Sequence, residues 1–230
     1  MKNLLSQFMK EHFDNLILRP PLFYLWEYGI RFEISMPWVE HEEKINLQQI
    51  EERMNCIFNS VFNDEDEMFL ITDIHGESND NFLQKRPIKV YKKYIGDKEL
   101  RQKLQHKVLP SVFLEDVDGQ DYEEMVTHRF VLPCKKSDIR YKPLLTAISY
   151  EDFPHPSQIL KGLPRNGIDI YFINVTRKMI YHLYDDRGCD VIASNKDNIR
   201  SLYEKHNEWI LEYDRKQIDK LFKSCSNRNP

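Results

Sequence analysis

Apolar side chains at Leu4, Leu5, Phe8, Met9, Phe13 and Leu16 recur every three or four positions, and Pro20-Pro21 closes the run. That spacing predicts an amphipathic helix at the start of the chain. Past Tyr28-Gly29, the alternation in Ile30-Arg31-Phe32-Glu33-Ile34 predicts a strand. Helical spacing returns from about Asn46 through Leu47, Ile50, Met54, Ile57, Phe58, Val61 and Phe62. An acidic turn at residues 64–67 then leads into Met68-Phe69-Leu70-Ile71, an apolar run that reads as a buried strand. Strand, long helix and strand in that order suggest a parallel crossover unit.

The middle of the chain is less regular. Asp97 is placed to cap a short helix carrying Leu100, Leu104 and Val108. Residues 111–115 and 125–132 look like two strands joined by an acidic loop, and 141–150 like a helix with Pro143 in its first turn. Pro154-His155-Pro156 and Gly162-Leu163-Pro164 mark a loop that is the best candidate hinge. The C-terminal third is clearest. Residues 168–175, 179–184 and 189–193 form three short strands separated by turns, as in an antiparallel meander. Ser194 with Asp197 resembles a capping box. Ile199, Leu202, Tyr203, Trp209, Ile210 and Tyr213 follow helical spacing, and a last helix carries Ile218, Leu221 and Phe222. Seven strands and five or six helices predict an α+β fold, with a mixed, largely antiparallel sheet, flanking helices and a C-terminal β-meander followed by helices. A three-layer α/β arrangement is the alternative. One compact unit over residues 1–230 is expected.

Composition narrows the function more than the fold. Net charge is −4, which excludes a surface that courts nucleic acid everywhere. Seven glycines in 230 residues are too few for a fold built on glycine-rich phosphate loops. The N-terminus is too polar for a signal peptide, and no apolar stretch is long enough to span a membrane. Cys56, Cys134, Cys189 and Cys225 stand apart with no CxxC pair, as reduced thiols of a cytoplasmic protein do.

Several catalytic templates begin and stop short. Asp73-Ile74-His75-Gly76 follows a buried strand, and a carboxylate and imidazole two apart can both reach one metal, as in calcineurin-like metallophosphoesterases. That family also needs an Asn-His pair, and no such dipeptide occurs here. A strand exit with Gly76 in the turn is the preferred reading. Gly162 to Gly167 has P-loop glycine spacing, but Ile168-Asp169 replaces Lys-Ser/Thr. His41-Glu42 lacks the second histidine of HExxH. Residues 116–121 resemble half an EF-hand, with Asp121 where its glycine belongs.

Charge is segregated. Residues 85–107 carry nine basic and two acidic side chains, with Tyr91 and Tyr94 interleaved, whereas residues 40–67 carry nine acidic and two basic. Solvated helix faces that partly neutralise each other explain both, and a basic face for phosphates or an acidic partner is the alternative. The densest cluster is the turn Tyr184-Asp185-Asp186-Arg187-Gly188-Cys189-Asp190. There Gly188 would supply a positive φ, and Arg187 would fold back on Asp185 or Asp190.

Residues 180–193 (IYHLYDDRGCDVIA) and 202–215 (LYEKHNEWILEYDR) resemble a bacterial domain-of-unknown-function family, known mainly from low-GC Gram-positive bacteria. Residues 139–145 and Phe172-Ile173-Asn174 look like it too, so the specific likeness covers 139–222. The resemblance implies a bacterial cytoplasmic origin and supplies no activity. The expected function is a non-enzymatic protein-interaction module, in its most specific form toxin-neutralising and immunity-like. Its candidate contacts are Tyr184, Asp185, Asp186, Arg187 and Asp190, set against a basic protein partner. No catalytic residue, metal or cofactor is expected, and neither is a membrane or nucleic-acid partner. The alternatives are a metal-dependent phosphoesterase or nuclease using Asp73 and His75, and a weak nucleic-acid-binding module using residues 85–107.

Overall fold

A computed structural model describes residues 4–36, 43–77, 89–113, 125–150 and 167–223. Its strands are β1 (Gly29–Glu33), β2 (Glu67–Glu77), β3 (Gln105–Pro110), β4 (Met125–Lys135), β5 (Ile168–Asn174), β6 (Met179–Leu183) and β7 (Gly188–Ala193). They form one seven-stranded sheet in the order β1-β7-β6-β5-β2-β4-β3, antiparallel at every junction. The helices are α1 (Leu4–His12), α2 (Glu43–Val61), α3 (Lys89–Tyr94), α4 (Lys98–Gln102), α5 (Tyr141–Ser149), α6 (Lys196–Lys205) and α7 (Glu212–Lys223). The fold is α+β. No helix among the described residues is long and apolar enough to cross a membrane.

Alternation along each strand assigns residues to two faces. Ile30, Phe32, Leu70, Phe172, Tyr181 and Val191 face a core closed by α2, α5, α6 and α7, whose Phe58, Leu144, Leu202 and Ile218 pack there. Phe58 lies at its centre, stacked on Tyr141 at 4.9 Å and edge-on to Phe172 and Tyr181. The opposite face carries Phe69, Ile71, Val131, Ile173, Ile180 and Ile192. It is covered by α1 and the segment after it, through Phe8, Phe13, Leu18 and Leu22. Burial on both faces explains why β6 and β7 are buried at every position.

The meander forms as its sequence predicts. The parallel crossover does not, because β7, β6 and β5 stand between β1 and β2. β1 takes its partner from the far end of the chain, with Arg31 opposite Asp190. α1 ends at His12, where Asp14 and Asn15 take left-handed φ values of 47° and 61°, rather than running to the prolines. Asp97 caps α4 as expected, accepting from Glu99 and Leu100 N–H, but the helix stops at Gln102. Residues 105–110 then pair with β4, so pairing overrides the helical spacing of Leu104 and Val108. Residues 111–113 are a turn rather than a strand. β2 extends to Glu77, so Asp73, His75 and Gly76 lie inside a strand, with Gly76 opposite Val126. The N-cap of α6 is Asn195, one residue past the predicted Ser194.

The residues after β2 (78–81), the acidic loop 116–121, the hinge at 154–164 and the half P-loop through Asn166 lie outside the described residues. So do His41-Glu42, residues 85–88 and Cys225.

Gly188 is required for a different reason from the one expected. Its φ is not in the left-handed range; instead an added Cβ would fall 2.6 Å from the Phe32 carbonyl oxygen and collide with the Tyr184 hydroxyl. Gly188→Ala should therefore destabilise by about 1–3 kcal/mol through overpacking, read as a lowered urea midpoint at unchanged m-value.

Candidate functional site

On the face covered by α1, the apolar surface is interrupted by a row of polar side chains. The row crosses five adjacent strands and extends to β1; Asp73, His75, Thr127, His182 and Asp190 are buried and Arg31, Arg129 and Asp169 partly so. At one end Arg31 donates from Nε and Nη2 to the two oxygens of Asp190 at 2.7 and 2.9 Å, and the Phe23 N–H adds a third donor at 2.9 Å. The guanidinium lies 4.7 Å from the Tyr24 ring centroid and 5.6 Å from those of Phe23 and Tyr184. Burial disfavours the Arg31 charge, but the Asp190 carboxylate more than restores it and raises the pKa above the ordinary value. At the other end Arg129 grips Asp73 from Nε at 2.8 Å and Nη2 at 2.5 Å. Burial pushes the Asp73 carboxyl up while the two Arg129 hydrogen bonds pull it down, and the bidentate geometry is that of an ionised pair.

Between these pairs lies a carboxylate shared by two imidazoles. Asp169 on β5 accepts from His75 Nε2 at 2.9 Å and from His182 Nε2 at 3.1 Å. Burial raises the Asp169 pKa, yet the bonds from His182 and His75 prevail and hold it well below the usual carboxylate range. With Nε2 of His75 donating, its Nδ1 accepts from the Thr127 hydroxyl at 3.1 Å, and Thr127 Oγ1 takes the Val112 N–H at 3.3 Å. His182 stacks on Tyr171 at 4.4 Å. Among the described residues, His182 Nδ1 and the Tyr171 hydroxyl are buried without a hydrogen-bond partner.

Thr127, His75 and Asp169 line up as hydroxyl, imidazole and carboxylate, the order that activates a nucleophile. Thr127 is fully buried, however, which leaves no approach for a substrate carbonyl or phosphate. Asp73 and His75 share a face as their spacing predicts, but Arg129 occupies both oxygens of Asp73 and both His75 nitrogens are engaged. Among the described residues, no three His, Cys, Asp or Glu side chains converge in metal-holding geometry. A second polar contact joins Ser60 Oγ to His206 Nε2 at 2.9 Å and Lys205 Nζ at 3.0 Å. The Ser60 proton is directed at the Cys56 carbonyl, so the oxygen accepts from the imidazole rather than being activated by it. A cleft of about 820 Å³ lies away from the row, between α1 and the strand ends at Glu67 and Lys135.

The five candidate contact residues divide. Asp190 is the buried partner of Arg31, and Tyr184 packs over that same guanidinium. Asp185 is buried and accepts from the Arg187 backbone N–H at 2.7 Å as well as from its guanidinium, so the predicted fold-back onto Asp185 occurs. Asp186 is half-buried, and Arg187 is exposed at the turn. Arg31, Thr127, Arg129, Asp169, Tyr171 and His182 carried no motif. Their signal is a lone polar residue inside an apolar strand, as in Ile168-Asp169-Ile170 and Tyr181-His182-Leu183.

Comparison with known proteins gives the lineage. A family model described as "Domain of unknown function (DUF3885)" matches residues 5–214. The chain belongs to the DUF3885 family. It is also 34% identical over 211 residues to "Uncharacterized protein YnaE" of Bacillus subtilis (strain 168), an alignment covering 90% of this chain and 96% of that protein. The DUF3885 match reaches well beyond the 139–222 region where the sequence alone showed a specific likeness. No solved structure matches.

The polar row supplies a pH prediction. A carboxyl whose folded pKa lies below its unfolded value of about 3.9 adds stability above that pH. The contribution disappears as pH falls toward the folded value. Burial pushes His206 down to about 4, and protonating it adds a separate loss on acidification, beginning at higher pH. The difference between wild type and Asp169→Asn isolates the Asp169 contribution. The variant should lose about 1.5–3 kcal/mol at neutral pH, because the hydrogen bonds of two buried imidazoles lose their ionised acceptor. Below pH 4 the gap should narrow, which denaturant titrations at stepped pH will measure.

Proposed function

We propose that this DUF3885 chain is a single-unit, cytoplasmic protein-interaction module that acts by binding rather than by turnover, with toxin neutralisation of the immunity type as its specific form. The observation that supports it is the preorganised β6–β7 turn. Asp185 holds Arg187 through backbone and side chain, the Arg187 carbonyl accepts from Ile34 N–H at 2.9 Å, and Gly188 fits against Tyr184. A turn fixed from both sides presents Asp186 and Arg187 without an ordering cost on association. The net charge of −4 favours a basic partner. The engagement of Asp73, His75, Asp169 and His182 with one another and with Arg129 and Thr127 supports a structural use for the groups that would otherwise suggest catalysis.

The test is affinity capture from a Bacillus lysate with wild type and Asp186→Ala in parallel, beside thermal melts of both. Wild type should retain a basic protein that Asp186→Ala loses. The substitution should move stability by no more than roughly 0.5 kcal/mol. Identical capture by both proteins would remove the turn from the interface. Separately, purified protein with manganese, zinc or magnesium should leave a generic phosphodiester intact. Turnover abolished by His75→Ala would replace the binding reading with a phosphoesterase one.

A further inference from the structure

The two edges of the sheet are treated differently. β1 is closed: the Leu211 N–H donates to the Arg31 carbonyl at 3.0 Å, and Ile210 bridges to Phe32. β3, at the other edge, pairs among the described residues with β4 on one side only. All of its residues but Leu109 are exposed, Val108 at 48%. Before Pro110, which has no N–H, an edge of this kind offers backbone N–H and C=O groups at every second residue to an incoming strand.

We infer that the open edge of β3 is a strand-addition site for an acidic, extended segment of a partner protein. Charge decides the occupant. Lys107 lies on the edge opposite Arg129, and Lys92, Lys93, Lys98 and Lys103 are exposed on the elements leading into it. Of the two carboxylates in this stretch, Asp97 is spent on capping α4. A second copy of β3 would bring like charges together, which disfavours self-pairing. A strand carrying carboxylates meets the opposite balance.

The two faces of the edge differ as well. Gln105 and Lys107 share the face of Arg129. His106 and Val108 share the other, where His106 stacks on Phe130 at 4.4 Å beside the exposed Val108. The complementary strand therefore alternates acidic and apolar residues. A nucleic acid fits less well, because it needs aromatic platforms. The interleaved Tyr91 and Tyr94 are buried instead, and Tyr91 donates to Thr72 Oγ1. The site lies on the β3 edge, with β5, β2 and β4 between it and β6, so it does not depend on the proposal for the β6–β7 turn.

The probe is a labelled peptide of about eight alternating Glu and Val residues, long enough to span the six residues of β3. Fluorescence anisotropy reads its affinity for the full chain, and amide hydrogen exchange reads where it binds. The peptide should bind saturably and slow exchange within residues 105–110. Methylating alternate peptide nitrogens, which removes strand donors but keeps the charge, should weaken binding about tenfold or more. Lys107→Glu, an exposed change that should leave the circular dichroism spectrum and Tm unaltered, should also weaken it about tenfold. A Lys/Val peptide should not bind.

Four outcomes would overturn the inference. They are no saturable binding up to about 1 mM, the weak end of specific affinity; equal binding of the methylated peptide; protection mapped away from β3; or an oligothymidylate that binds more tightly and loses its affinity on Lys92→Ala with Lys93→Ala. The last would assign the basic surface to nucleic acid.

Discussion

The fold depends on one buried carboxylate. Asp190 accepts two hydrogen bonds from Arg31 and one from the Phe23 backbone, so it joins β7 both to β1 and to the segment that covers one face of the sheet. A carboxylate this deeply buried is tolerable only when its donors are all in place. The register of β1 on β7 and the path of residues 18–26 are therefore set together. Gly188 follows from the same contact, since β1 approaches β7 closely enough to leave no room for a Cβ beside the Phe32 carbonyl.

The rest of the polar row extends that logic across the sheet. Of the three aspartates in the row, Asp190 and Asp73 each face an arginine, and Asp169 is served by two imidazoles instead. Each charged group is answered by a partner on an adjacent strand, so a slip of one residue in any register would leave several of them unpaired. Apolar packing alone specifies a sandwich of layers less sharply. In this sheet the polar row is what makes one alignment of β4, β2, β5 and β6 better than its neighbours.

How much of this is legible in the sequence varies with the environment of each strand. β5, β6 and β7 are buried on both faces and bounded by turns at Thr176–Lys178 and Asp185–Arg187, so they stand out as short apolar runs. β3 is exposed on an edge and has neither alternation nor an apolar run, and the helical spacing around it carries the stronger signal. β2 reads as ending at Ile71 because Asp73, His75 and Gly76 look like turn formers. Only the partners Arg129, Thr127 and Asp169, up to 94 positions away, make them strand residues. Asp73 and His75 were visible as a pair through their spacing. The rest of the row was not, because the pairs that satisfy it are contacts across strands rather than motifs along one.

The closure of β1 by β7 also sets an order of events during synthesis. Phe23 and Asp190 are 167 positions apart. As the ribosome delivers the chain from its N-terminus, β1 and the apolar segment before it emerge long before the strand they need. α2, β2 and β4 can begin to associate, but the sheet cannot reach its β1 edge until the meander has been made. For most of translation Leu18, Leu22, Phe23 and Ile30 therefore have no native surface to cover, a long-range closure of the kind that folds slowly and exposes the nascent chain to aggregation. The demand on a cell that makes this protein is to keep residues 18–30 occupied until the meander arrives.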